Sequence, residues 1–241
     1  MLLEVIVQTT EDARAAASGG ADRLEIVRDI ASGGLTPSIA IVRAIAAETP
    51  LPLRVMVREN AGFDTDAGEL RRMRDAIAEF CVAGVDGFVI GFARRGAPAL
   101  DEVAAALDDT AGVRATFHRA FDSLDDPFAG IDAIAQIPQI DRILTSGGEG
   151  KREARAARLR ACVERAGSRF TIIAGGGVDE EMLAHLAAEG CVEEVHIGRA
   201  ARLGNDRNAA VSVERVRRLR HLMRTRNRDR QSRVSPPFRT T

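Results

Sequence analysis

Ala115-Thr116-Phe117-His118-Arg119-Ala120-Phe121-Asp122-Ser123-Leu124-Asp125-Asp126-Pro127 reads as a strand that runs into a turn and then into a helix. Val113 to Phe117 is apolar enough for a buried strand. His118, Arg119 and Asp122 stand at its end, and Asp126-Pro127 opens the next helix, with Pro at the first helical position, where its missing N–H costs nothing. A strand that stops at an acid–base residue, a fixed cation and a carboxylate is a unit from which α/β enzymes build sites. Taken alone, His118 also reads as a satisfied core histidine and Arg119 as a surface salt-bridge partner.

The same unit recurs along the chain. Short apolar strands are expected at 2–7, 22–27, 53–57, 86–92, 113–118, 141–145, 170–174 and 194–197. Each is followed by a loop and a helical pattern. Helix signals include Thr10 before Glu11 to Ala17, closed by Gly19-Gly20, and Thr36 as N-cap with Pro37 at the first helical position. Further helices are expected at 66–83, 98–109, from 126, 151–166, 179–189 and 211–223. Strands alternating with helices imply a parallel sheet. Eight such units in 241 residues favour a closed (β/α)8 TIM barrel, which needs ~250 residues. The expectation is one α/β domain over residues 1–224, and an Arg- and Pro-rich tail over 225–241 that is disordered or loosely docked.

Composition narrows the partners. A formal net charge of −1 supplies no general attraction to nucleic acid or to an anionic membrane. Trp and Tyr are absent, which removes the usual stacking platforms for single strands. No apolar run approaches the ~20 residues of a membrane helix, and Glu4 interrupts the N-terminal strand, against a signal peptide. The expected setting is the cytoplasm. Cys81, Cys162 and Cys191 are few and far apart, form no CxxC pair, and are expected to be buried free thiols. Lys151 is the single lysine, so a Schiff-base mechanism has one candidate.

In a (β/α)8 barrel the active end lies where strands finish. Alternation along a strand lets Glu4, Glu25, Arg58 and His118 point into the barrel, and Arg119 stands at its mouth. These five are the candidate catalytic and clamping residues, with His118 as the acid–base group. The competing account is a structural ion-pair network in the lumen. Two glycine loops, Thr145-Ser146-Gly147-Gly148 after the sixth strand and Gly175-Gly176-Gly177 after the seventh, are candidate anion seats, as are Gly198 and Arg199 after the eighth. Glycine lets backbone N–H groups approach a ligand closely, and barrel phosphate sites lie after strands seven and eight.

Taken together, Leu3-Glu4-Val5, Gly19-Gly20-Ala21-Asp22-Arg23-Leu24-Glu25, Gly33-Gly34-Leu35-Thr36-Pro37-Ser38, Val55-Met56-Val57-Arg58, the run from Thr116 to Asp122, Arg142 to Gly148 and Ala174 to Val178 resemble CutC-type copper homeostasis proteins. The resemblance covers residues 1 to about 198. It implies a cytoplasmic TIM barrel linked to copper binding, handling or tolerance, with copper as its ion. Relatives often carry a cysteine soon after the glutamate of the second strand; here the chain reads Ile26-Val27-Arg28-Asp29. The soft thiolate suited to Cu(I) is therefore missing from the expected pocket, and the metal ligands stay unassigned. If copper binds, Cys81, Cys162 or Cys191 contributes, or His118 and His196 do. The other reading is a lyase, isomerase or hydrolase acting on a small anionic or phosphorylated metabolite. A non-catalytic scaffold would need an exposed apolar patch. Assembly into a homo-oligomer stays open.

Overall fold

The computed structural model describes residues 1–108, 110 and 112–234, with side chains to residue 223. Eight parallel strands close into a barrel: β1 (Leu2–Val7), β2 (Arg23–Ile26), β3 (Leu53–Met56), β4 (Gly87–Ile90), β7 (Arg114–Phe117), β8 (Ile140–Thr145), β9 (Thr171–Ala174) and β10 (Glu194–Ile197). The ring closes where β1 pairs with β10, with Glu4 opposite His196. The helices α1 (Thr10–Gly19), α2 (Ile39–Glu48), α3 (Ala67–Val82), α4 (Leu100–Leu107), α5 (Pro127–Ile134), α6 (Arg152–Ala166), α7 (Glu180–Glu189) and α8 (Val213–Val234) follow the strands. Their apolar faces meet outward-facing strand residues such as Leu3, Val5, Leu24, Val55, Phe88 and Ile172 in one continuous core.

Four expectations change. Thr9, not Thr10, caps α1, accepting from the Asp12 amide at 3.1 Å. Ser38, not Thr36, caps α2. Thr36 is occupied elsewhere: its hydroxyl accepts from the Arg58 amide and donates to the Arg58 carbonyl, both at 2.9 Å. That pair of hydrogen bonds pins the loop after β2 to the end of β3 and fixes where Arg58 starts. The fourth strand ends at Ile90, and a small hairpin, β5 (Ala93–Arg94) with β6 (Ala97–Pro98), takes up the following residues. Two-residue strands carry too little alternation to be read from sequence. The tail expected over 225–241 begins inside α8, which is continuous to Val234; residues 235–241 lie outside those described.

The floor of the barrel is ionic rather than aliphatic. Arg54 pairs with Asp141 at 2.9 Å, Arg142 bridges Asp141 and Glu194, and Arg23 bridges Glu194 at 2.5 Å and Glu4. Gly87 makes room for it. A Cβ there would stand 2.2 Å from the Arg114 carbonyl oxygen and 2.6 Å from an Arg54 guanidinium nitrogen. The first obstacle is backbone of the neighbouring strand and cannot give way. Gly87→Ala is expected to destabilise by about 2 kcal/mol or more, read as a lower urea midpoint at unchanged slope. A midpoint equal to that of the wild type would show that β4 and β7 can part there.

Candidate functional site

At the C-terminal end of the strands a cavity of about 540 Å3 opens over this floor. Its lining includes Glu25, Arg58, His118, Arg119, His196 and the loops after β9 and β10. Of the expected catalytic residues, Glu25, Arg58, His118 and Arg119 therefore meet at one mouth. Glu4 lies a step deeper, 2% exposed, held by Arg23 and by His196 Nδ1 at 2.7 Å. It belongs to the ionic floor, so the two competing accounts are both present, stacked one above the other.

His196 is the hinge between them. Its Nδ1 faces Glu4, and its Nε2 lies 3.5 Å from Glu25 Oε2. Burial would lower its pKa, but the charges of Glu25 and Glu4 outweigh burial and raise it. Burial also dominates Glu25. With the Glu4 charge adding to it and His196 opposing, its carboxyl is pushed up to about 7. For Glu4, Arg23 and His196 overcome burial and hold the carboxyl well below the usual range.

His118 differs from its expected role. Nδ1 accepts a hydrogen bond from the Ala120 amide at 3.1 Å, so the ring proton of the neutral form sits on Nε2. Burial, then the positive charges of Arg58 and Arg119, drop its pKa to about 3. A ring held neutral in this tautomer is a hydrogen-bond donor toward the cavity, not a base. Of the two groups, Glu25 rather than His118 has a pKa near neutrality.

The upper wall is cationic. Arg58 donates to the carbonyls of Gly62 at 3.2 Å, Gly33 at 3.5 Å and Ala61, and lies over the Phe63 ring at 4.9 Å. Among the described residues no carboxylate pairs with it. Arg119 is half exposed and pairs with Asp122 at 2.8 Å. Gly176 (φ 65°) lets Arg119 lie against the loop, since a Cβ there would stand 2.8 Å from its Nε. Arg199 and Arg207 complete the rim. Asp179 also lines the cavity, but its carboxylate caps α7 by accepting from Met182.

The glycine loops divide. Gly176, Gly177, Gly198 and Arg199 line the cavity, and Gly175 packs behind them against Leu144 and His196. Thr145, Ser146, Gly147 and Gly148 do not line it. Asp122 already accepts from the Thr145 hydroxyl at 2.6 Å and from the Ser146 amide at 3.0 Å, while Thr145 and Ser146 oxygens take the Gly147 and Gly148 amides. The donors that made this loop an anion candidate are satisfied by the chain itself. Sequence reading missed Arg23, although Arg23 and Glu25 stand two apart on one strand and so share its inner face. It also missed Arg207, for which no local signal exists.

The thiols lie elsewhere. Cys81 is exposed on α3, against the expectation of burial, whereas Cys162 and Cys191 are buried in the outer helical layer. Burial pushes the Cys162 thiol up to about 11 and raises Cys81 and Cys191. No group of three or more His, Cys, Asp or Glu side chains is arranged to hold a metal ion among the described residues.

Comparison with known proteins bears on the whole barrel. The CutC family model matches residues 1–201. A CutC family protein of Caulobacter vibrioides is 37% identical over 198 residues, spanning 81% of this chain and 80% of that one. One from Vibrio parahaemolyticus is 36% identical over 203 residues, with the same coverage. Among solved structures, one named as a copper homeostasis protein CutC from Streptococcus agalactiae superposes with a TM-score of 0.74 at 26% identity, covering 81% of this chain and 97% of that one. Phosphoribosyl anthranilate isomerase from Thermococcus kodakaraensis superposes with a TM-score of 0.62 at 15% identity, covering 93% and 99%, a likeness of fold alone. The eight-stranded barrel, the run of matched residues and the relatives above 30% identity agree: this chain belongs to the CutC family.

Proposed function

We propose that this CutC protein serves copper homeostasis, the role named for its Streptococcus agalactiae relative, and that its barrel mouth is a seat for a small anionic metabolite rather than a copper site. One observation carries the second half: the cavity wall holds Arg58 with carbonyl partners only, beside Arg119, Arg199 and Arg207. A guanidinium without a carboxylate, in a partly buried wall, favours a phosphate or carboxylate by charge-assisted hydrogen bonds. The donors fit copper poorly. The cavity supplies imidazole and carboxylate where Cu(I) favours thiolate, His196 is engaged by Glu4 and Glu25, and raised thiol pKa values disfavour the thiolate that binds metal. The few unpaired thiols agree with a reducing, cytoplasmic setting. No described helix is long and apolar enough to cross a membrane. Among the described residues the exposed large hydrophobics, Val82, Phe128 and Leu203, lie on separate elements and form no shared patch for a scaffold role.

Thermal-shift titration with inorganic phosphate and with phosphorylated sugars tests this. Saturable stabilisation is expected, weakened about tenfold or more in an Arg119→Met, Arg199→Gln variant. Absence of a saturable shift with every such anion would sink the anion seat. A Cu(I) competition titration under reducing conditions serves as the counter-test. Stoichiometric tight binding that vanishes when Cys81, Cys162 and Cys191 are changed to Ser would place copper on thiols outside the mouth.

A further inference from the structure

Two buried polar atoms at this mouth have no partner within the protein among the described residues: Glu25 Oε1 and His118 Nε2. Both side chains line the one cavity, 1% and 3% exposed. One is a carboxyl oxygen that takes and returns protons; the other is a fixed N–H donor. Buried polar groups are nearly always satisfied, and an exception points to a missing partner.

The other chemistries open to the cavity lack their parts. The Ser32 hydroxyl, at the rim, donates to Asp29 at 2.6 Å, and the hydrogen bonds from Ser32 lower the pKa of that carboxyl, so the base beside it is weak. Thr145 Oγ1 donates to Asp122. The thiols sit outside the cavity, and Lys151, the single lysine, does not line it. Nucleophilic and Schiff-base routes therefore have no group in place. A proton-transfer group and an oxyanion donor remain, within a cationic rim.

On the anion-seat reading above, we infer that the barrel enolises a small phosphorylated carbonyl compound, with Glu25 moving the carbon-bound proton and His118 Nε2–H holding the enolate oxygen. The C–H bond next to the carbonyl breaks and its proton passes to Glu25 Oε1. The electron pair left behind forms the C=C bond, and the carbonyl π pair moves onto oxygen, facing His118. A neutral imidazole donor suits this oxygen, because it stabilises the charge without delivering its proton. The same carboxyl returns the proton to either carbon. Return to the former carbonyl carbon, with the hydroxyl proton passing between the two neighbouring oxygens, completes an isomerisation. Nothing is oxidised or reduced overall and no co-reactant is needed. His196 acts as a positioning residue: it stands 3.5 Å from Glu25 Oε2 and, through Nδ1, is anchored to Glu4. The rim arginines hold the phosphate.

The test uses the full chain in deuterated water with dihydroxyacetone phosphate and with ribulose 5-phosphate. Proton NMR follows loss of the C–H signal next to the carbonyl, and thermal shift on the same samples follows binding and folding. Exchange above the buffer rate is expected with at least one sugar. It should fall about a thousandfold in Glu25→Gln and about a hundredfold in His118→Ala, with partial recovery in His118→Gln, which restores an N–H donor. Binding of both sugars without exchange overturns enolisation and leaves the anion seat standing. Exchange that persists in folded Glu25→Gln overturns the role of Glu25. Failure of both sugars to bind while inorganic phosphate still gives a saturable shift overturns this inference and leaves the anion seat standing; failure of inorganic phosphate as well overturns both.

Discussion

Arg23→Met is expected to cost about 3–5 kcal/mol, the range for removing one partner of a buried ion pair. The reason is what stays behind. Arg23 is 4% exposed at its side chain and bridges Glu4 and Glu194, which are 2% and 8% exposed at theirs. Without it, among the described residues, Glu4 keeps only His196 and Glu194 only Arg142 as side-chain partners. In a chain of this size each kcal/mol moves the melting temperature by about 2–4 °C, so a fall of roughly 6–20 °C should appear in calorimetry. Adding Glu4→Gln should recover part of the loss, since it removes one stranded charge, and the double-mutant cycle would give the coupling directly. The exposed pair Arg165 with Asp132 is the control, and Arg165→Ala should leave the melting temperature close to that of the wild type. If Arg23→Met stays as close to the wild type, the lumen is wetter than its burial indicates, and the ionic floor is not what holds the strands in register.

Glu25→Gln should move stability the other way. Glu25 is 1% exposed, and burial raises its carboxyl from 4.5 in the unfolded chain to about 7 in the fold. The folded state thus holds the proton more tightly. Below about pH 4.5 both states are protonated and the group contributes no penalty. As pH rises toward and through 7, the unfolded chain ionises freely while the folded one resists, and folding loses free energy. Gln carries no such charge. The variant should match the wild type near about pH 5 and exceed it by on the order of 2 kcal/mol near about pH 8, a gain of about 4–8 °C. Loss of its charge also withdraws support from the raised pKa of His196. A carboxyl kept at a cost to stability while facing a cavity is what a working proton-transfer group looks like. Melting curves of the two proteins that run parallel from pH 5 to pH 8 would show that Glu25 is not perturbed by the fold.

Much of this molecule was legible in its amino-acid order. Eight alternations of apolar strand and capped helix, the punctuation by Gly20, Asp126 and Pro127, and inward alternation at Glu4, Glu25 and His118 are local properties. Each is set by backbone stereochemistry and by periods of two and of about 3.6 residues. They determined a closed barrel and located its mouth, and the ordered motifs determined the CutC family. Roles within the mouth were a different matter, because they depend on which residues from distant strands come to face one another. Glu4 and His196 are 192 positions apart yet meet at 2.7 Å where the ring closes. That contact turned Glu4 into part of the floor and left Glu25 above it as the end of the chain of charges that lines the cavity. Burial and the two arginines keep His118, expected as a base, neutral, and the Ala120 amide leaves its ring proton on Nε2. Asp122 consumed the glycine loop after β8. The physical reason is shared: a strand's pattern says which way a side chain points, but protonation state and free hydrogen-bonding capacity depend on every neighbour, and only the tertiary structure brings those neighbours together.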